Sequence, residues 1–122
     1  MTTKRQRTGA LGEQIAARHL AGAGYDILAQ NYRTTYGEID LVCNNDGTLV
    51  FVEVRTRRPG NFGSPEQSIT SQKAAHMTAA AEHYLQEAGI ENHDWRIDLV
   101  AVELGHGGKL LRVDVIENAV EA

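Results

Sequence analysis

The sequence predicts one α/β domain, with elements in the order α-β-β-β-α-β-β and a mixed central sheet flanked by two main helices. Three observations carry this expectation. Residues 48–57, TLVFVEVRTR, alternate Val50, Val52 and Val54 with Phe51, Glu53 and Arg55, the two-residue period of a strand. Residues 68–88 place Met77, Ala80, Ala81, Tyr84, Leu85 and Ala88 in one apolar helical stripe. That helix separates the strand ending at 57 from a further strand at 95–104, so the two can pair in parallel through a crossover.

The other elements follow from local signals. Over residues 8–23, Leu11, Ile15 and His19 recur at i+4 with Ala16 and Leu20 beside them, which reads as a helix. Thr8 is placed to cap its start, and Gly22 and Gly24 mark its end. Residues 25–33 and 36–44 read as strands, and Asn44-Asn45-Asp46-Gly47 has the chemistry of a hairpin turn into the strand at 48–57. Pro59 to Pro65, with Gly60, Asn61 and Gly63, reads as a loop. Gly89 stops the second helix. WRIDLVAVEL at 95–104 is a strand, Gly105 to Gly108 a turn, and 109–116 an edge strand. Residues 1–7 are expected to form a flexible basic tail and 117–122 a flexible C-terminus, leaving one domain over 1–122.

Composition narrows the class. A chain of 122 residues with 42% hydrophobic and 23% charged residues can build a core without staples. Cys43 is the only cysteine, which excludes an intrachain disulfide and fits a reducing cytoplasm. No apolar run approaches the ~20 residues that span a bilayer. Lys4, Arg5 and Arg7 are not followed by the apolar stretch of a secretory signal. The net charge of −4 is unevenly spread. Residues 1–73 hold 9 Lys/Arg and 7 Asp/Glu, whereas 74–122 hold 3 and 9. A polyanionic partner would therefore meet the N-terminal part, through Lys4-Arg5-Gln6-Arg7 and Arg55-Thr56-Arg57-Arg58. On charge alone, a solvated terminus and a charged strand end explain the same clusters.

The chemistry is concentrated on the hairpin. Glu38 and Asp40 share a face of the second strand, and Glu53, Arg55 and Arg57 share a face of the third. The Asn-Asn-Asp-Gly turn brings Asp40 near Glu53. Both carboxylates stand among apolar neighbours, where an ionised group is costly unless paired or bound to a cation. Two of them together repel, and a hard divalent cation such as magnesium relieves the repulsion. The alternative is a set of salt bridges with Arg33, Arg55 or Arg57 across the sheet. The five histidines show no metal-ligand spacing. Trp95 and Tyr84 read as core, and Cys43 as a small strand residue.

Gly37-Glu38-Ile39-Asp40-Leu41-Val42 followed by Phe51-Val52-Glu53-Val54-Arg55 resembles the signature of the YraN-like family, small and largely uncharacterised bacterial proteins placed in the PD-(D/E)XK nuclease superfamily. Gly9-Ala10-Leu11-Gly12-Glu13, Asn31-Tyr32-Arg33, Lys73 and the stretch from Ala80 to Leu85 extend the resemblance over roughly residues 8–104. It implies a three-layer, restriction-endonuclease-like domain similar to archaeal Holliday-junction resolvases. It implies that Asp40 and Glu53 hold Mg2+ or Mn2+ and that Glu13 completes the site. Read from the residues alone, Glu13 is a solvated glutamate at a helix start, favoured by the helix dipole.

One position departs from the pattern. The motif ends in Lys, and here Arg55 stands in its place. An arginine does not lose its proton, so its contribution would be electrostatic. Lys73, four residues before Met77, either supplies the amine from the helix or is a plain surface lysine. The resemblance thus implies an endonuclease that cuts DNA, branched or structured DNA included, by in-line attack of a water activated by the metal. Catalytic roles would fall to Glu13, Asp40, Glu53, Arg55 and Lys73. The alternative is a nuclease fold that binds nucleic acid or a protein partner without cutting. A homodimer would suit cleavage of two strands.

Overall fold

The computed structural model describes residues 2–58 and 63–120. Its elements run α1 (Lys4–Gly22), β1 (Asp26–Thr34), β2 (Gly37–Asn45), β3 (Thr48–Arg57), α2 (Ser71–Glu87), β4 (Trp95–Leu104) and β5 (Leu110–Val120), with short 3-10 turns at Pro65–Ser68 and His106–Gly108. The order α-β-β-β-α-β-β is the one expected. The five strands form one sheet in chain order, β1-β2-β3-β4-β5. β3 and β4 pair in parallel across the α2 crossover, and every other neighbouring pair is antiparallel.

Each helix covers one face. Ala16 and Leu20 of α1 pack on Leu41, Cys43, Val50, Val52, Val100 and Val102. Ala80 and Ala81 of α2 pack on Ile39, Val42, Leu49, Phe51 and Ile97. Tyr84 and Trp95 join this second layer and meet the Phe51 ring edge-on, with centroids 5.5 and 5.8 Å away. The result is three layers, helix on sheet on helix. At the α1 layer the approach is close at Gly12. A Cβ there would fall on Thr56 Oγ1 and lie 3.0 Å from the Thr56 Cβ, so the backbone of α1 meets the Thr56 side chain of β3 directly.

Three boundaries differ from expectation, each for a local reason. α1 starts at Lys4, not Thr8, because Thr3 and Gln6 form a reciprocal capping box. Thr8 lies inside the helix, where its hydroxyl donates to the Lys4 carbonyl at 3.0 Å. Lys4, Arg5 and Arg7 therefore belong to the helix and not to a tail. α2 starts at Ser71, not 68, because the Thr70 side chain caps it by accepting from the Lys73 amide at 3.1 Å. β5 continues past 116 to Val120. There a bulge opposite Ile97 and Leu99 is pinned by fully buried Asp98, which accepts the Asn118 amide at 3.0 Å and is paired with Arg96 at 3.1 Å. Both helices end in Schellman turns, at Gly24 and Gly89. Of the loop expected over 59–65, residues 59–62 lie outside the described residues.

The contact at Gly12 yields a direct prediction. Gly12→Ala gains helix propensity, yet its methyl collides with Thr56, so stability should fall by roughly 1–3 kcal/mol. Urea denaturation measures this, and an unchanged midpoint would contradict the close approach of α1 to β3.

Candidate functional site

The paired ladder between β2 and β3 ends at Leu41 opposite Val52. The next residues in that register would be Asp40 and Glu53, and here the strands part. The Val54 amide donates to Asp40 Oδ2 at 2.8 Å, so a side-chain carboxylate takes the place of a strand carbonyl. The facing pattern breaks at the same point, since Ile39 packs in the α2 layer and Leu41 in the α1 layer. Strict alternation would place both on one face. Asp40 is thus held at the fork between two strands.

The carboxylates meet at this fork. Glu13, Glu38 and Asp40 each present an oxygen within 4.8 Å of the others. Asn31, on β1 with φ of 52°, donates from Nδ2 to Glu13 at 2.6 Å and to Glu38 at 2.9 Å, holding helix and strand acids together. Glu53 is 6% exposed and faces Asp40, close enough to hydrogen-bond it when Asp40 is protonated. Burial first, then the charge of Glu53, pushes the Asp40 carboxyl well above the usual carboxylate range. The Val54 amide pulls it back only in part, and Glu13 adds further repulsion.

The cations are distributed unequally. Arg55 and Lys73 both reach Glu53 Oε2, each at 3.2 Å, one along β3 and one from the first turn of α2. Lys73 is therefore no plain surface lysine. Arg33 pairs with Glu38 at 3.7 Å in an exposed position. Asp40 has no cationic partner among the described residues. The expected alternative of salt bridges is realised for Glu53 and not for Asp40. Glu13 also proves not to be a helix-start residue, because α1 begins at Lys4 and carries it mid-helix.

Beside the acids runs an open groove of about 710 Å³. Glu13, Asp40 and Glu53 stand at one end, and its walls are Lys4, Arg5 and Gly9 of α1 with Arg55, Arg57 and Arg58 of β3 and the residue after it. Arg58 Nε donates to Thr8 Oγ1 at 2.6 Å, tying the two walls. The Nε atoms of Arg55 and Arg57 are buried without an acceptor among the described residues.

All five residues singled out from sequence, Glu13, Asp40, Glu53, Arg55 and Lys73, come together here. Two more belong with them. Glu38 was legible as sharing a strand face with Asp40, but nothing in the spacing joined it to Glu13. Asn31 gave no signal as a bridge, since its position depends on the β1–β2 register and a left-handed backbone. The oxygen-rich set suits a hard divalent cation, because several carboxylate oxygens converge and the half-buried Asp40 lacks a counter-charge among the described residues.

Relatives share this chain along almost their whole length. A UPF0102 protein of Roseiflexus castenholzii is 45% identical over 122 residues, covering 99% of this chain and 98% of its own. One from Dehalococcoides mccartyi is 42% identical over 120 residues, 98% of each chain. One from Symbiobacterium thermophilum is 44% identical over 117 residues, 96% of this chain and 98% of its own. The model of the uncharacterised protein family UPF0102 matches residues 12–102, which include Glu13, Glu38, Asp40, Glu53, Arg55 and Lys73. The chain belongs to UPF0102, the YraN-like family whose signature its sequence resembles.

Proposed function

We propose that this protein is a divalent-metal-dependent endonuclease that hydrolyses phosphodiesters of DNA, branched or structured DNA included. One observation carries the reading: a half-buried, uncompensated Asp40 lies at a strand fork beside Glu13, Glu38 and Glu53, at the end of a basic groove. Asp40, Glu53 and Glu13 would hold Mg2+ or Mn2+, with Glu38 beside them. When bound, such an ion supplies charge neutralisation at the phosphate and a nucleophilic water at neutral pH. Lys73 and Arg55 hold Glu53 in place and present positive charge where a phosphorane would develop it. Lys73 supplies the amine that the motif lacks at Arg55. The buried Nε donors of Arg55 and Arg57 fit a phosphate oxygen as their missing acceptor. The groove is open to solvent, so a nucleic-acid backbone could enter it and approach the acids at its end.

Arg55 favours a second reading, a binding module that does not cut, because it cannot pass a proton. Arg55→Lys separates the two. A large gain in cleavage means that the natural chain has exchanged chemistry for binding. Cutting both strands of a duplex would call for two copies of the chain. No helix among the described residues is long and apolar enough to cross a membrane. Independently of that, the proposed nucleic-acid substrate is the ground on which we propose a cytoplasmic location.

The cleavage test uses labelled four-way junctions and linear duplexes with Mg2+ or Mn2+. Asp40→Asn, Glu53→Gln and Lys73→Met should each lower the rate at least about 100-fold. Undiminished cleavage by both Asp40→Asn and Glu53→Gln would remove the site from the mechanism.

Asp40 also predicts a pH dependence of stability. Folding raises its pKa above the ordinary 3.8, so the folded chain binds that proton more tightly than the unfolded chain. The resulting penalty is absent below the unfolded value and grows as pH rises toward the folded one. Without metal, Asp40→Asn should therefore be more stable than wild type at neutral pH, on the order of 2 kcal/mol. The gain should shrink toward acid. Mg2+ should raise the Tm of wild type and leave that of Asp40→Asn unmoved. A pH-independent difference would contradict the half-buried, unpaired state of Asp40.

A further inference from the structure

Two glycines lie inside α1, and only one is explained by packing. Gly12 leaves room for Thr56, as described. Gly9 has no atom of the protein within 4 Å of where its Cβ would be, although it lines the groove. A glycine inside a helix weakens it relative to alanine. Nothing within the described fold uses the space that Gly9 leaves.

The residues around that space are cationic. Arg5 stands one turn before Gly9 on the same side of α1, Lys4 precedes it at the helix start, and Arg57 and Arg58 line the same groove from β3 and the residue after it. The stripe from Lys4 to Glu13 spans nine residues, about 13.5 Å at 1.5 Å per residue. One strand of B-form DNA advances about 3.4 Å along the duplex axis per phosphate, and its phosphates lie further apart along the strand itself, so that length meets about two or three phosphates. Four groove cations lie beyond Arg55. The buried Nε of Arg57 lacks an acceptor among the described residues, and the positive end of α1 points the same way.

We propose that the N-terminal half of α1 is the track for a DNA backbone leaving the acidic site on one side. Gly9 lets the sugar–phosphate chain lie against the helix backbone, while Lys4, Arg5, Arg57 and Arg58 neutralise successive phosphates. The proposal rests on the nuclease reading for its ligand. It adds where that ligand lies and which residue sets how close it comes.

The test is binding of a short labelled duplex DNA, followed by fluorescence anisotropy in Ca2+ at several salt concentrations. Wild type should show a slope of log K against log salt of roughly −2 to −3. Gly9→Leu should melt at or above the wild-type temperature, since it fills open space on a helix, yet bind at least about tenfold more weakly. Arg57→Ala should weaken binding and reduce the slope by about 1. If wild type binds and both variants match it in affinity and slope, the track is wrong while the nuclease reading stands. If wild type shows no salt-dependent binding, the nuclease reading falls and the track falls with it.

Discussion

Where β2 and β3 part, the Val54 amide donates its hydrogen bond to the Asp40 carboxylate and not to a β2 carbonyl. The rest of the site depends on that substitution. It ends the ladder at Leu41 and Val52 and opens a fork in an otherwise continuous sheet. It also orients Asp40 along the strand plane, where acids from α1, β2 and β3 can all reach it. A carboxylate pointing squarely to either face would meet only one helix layer. The backbone hydrogen bond stabilises the ionised form of Asp40, but burial and two neighbouring acids outweigh it. The fork is therefore a place where negative charge accumulates faster than the protein itself compensates it.

Compensation is present, but it is spent on one residue. Arg55 and Lys73 converge on a single oxygen of Glu53, while Asp40 has only the Val54 N–H, Glu13 only the Asn31 amide, and Glu38 that amide and the exposed Arg33. Crowded, partly desolvated acids left in this state favour the uptake of a proton or of a cation. The groove adds a second asymmetry. Its positive walls lead to a negative end, so an anionic chain is attracted along the groove, and only a cation at the fork would let its phosphate approach the acids. Metal and polyanion would thus favour each other's binding.

Much of this was legible in the chain. The alternation in TLVFVEVRTR, the Asn-Asn-Asp-Gly turn and the long crossover helix are local signals, and strand order and the parallel β3–β4 pair follow from them. Asp40 and Glu53 were legible because a hairpin turn fixes register. The missed features are those that depend on geometry between elements. Glu38 joins the site only because α1 brings Glu13 across, and α1 lies that close only because Gly12 gives way to Thr56. The start of α1 was misplaced because Thr8 is a good cap residue by type, while Thr3 and Gln6 complete a fuller one. The extension of β5 was hidden because Asp98, a polar residue in an apolar strand, acts through the backbone of Asn118.

Crystals soaked in Mn2+ and measured for anomalous scattering test the central claim most directly. The account predicts a peak at the fork, within bonding distance of Asp40 and at least one of Glu13, Glu38 and Glu53, and its loss in Asp40→Asn. No peak there in wild type at saturating Mn2+, with the carboxylates ordered, would contradict it.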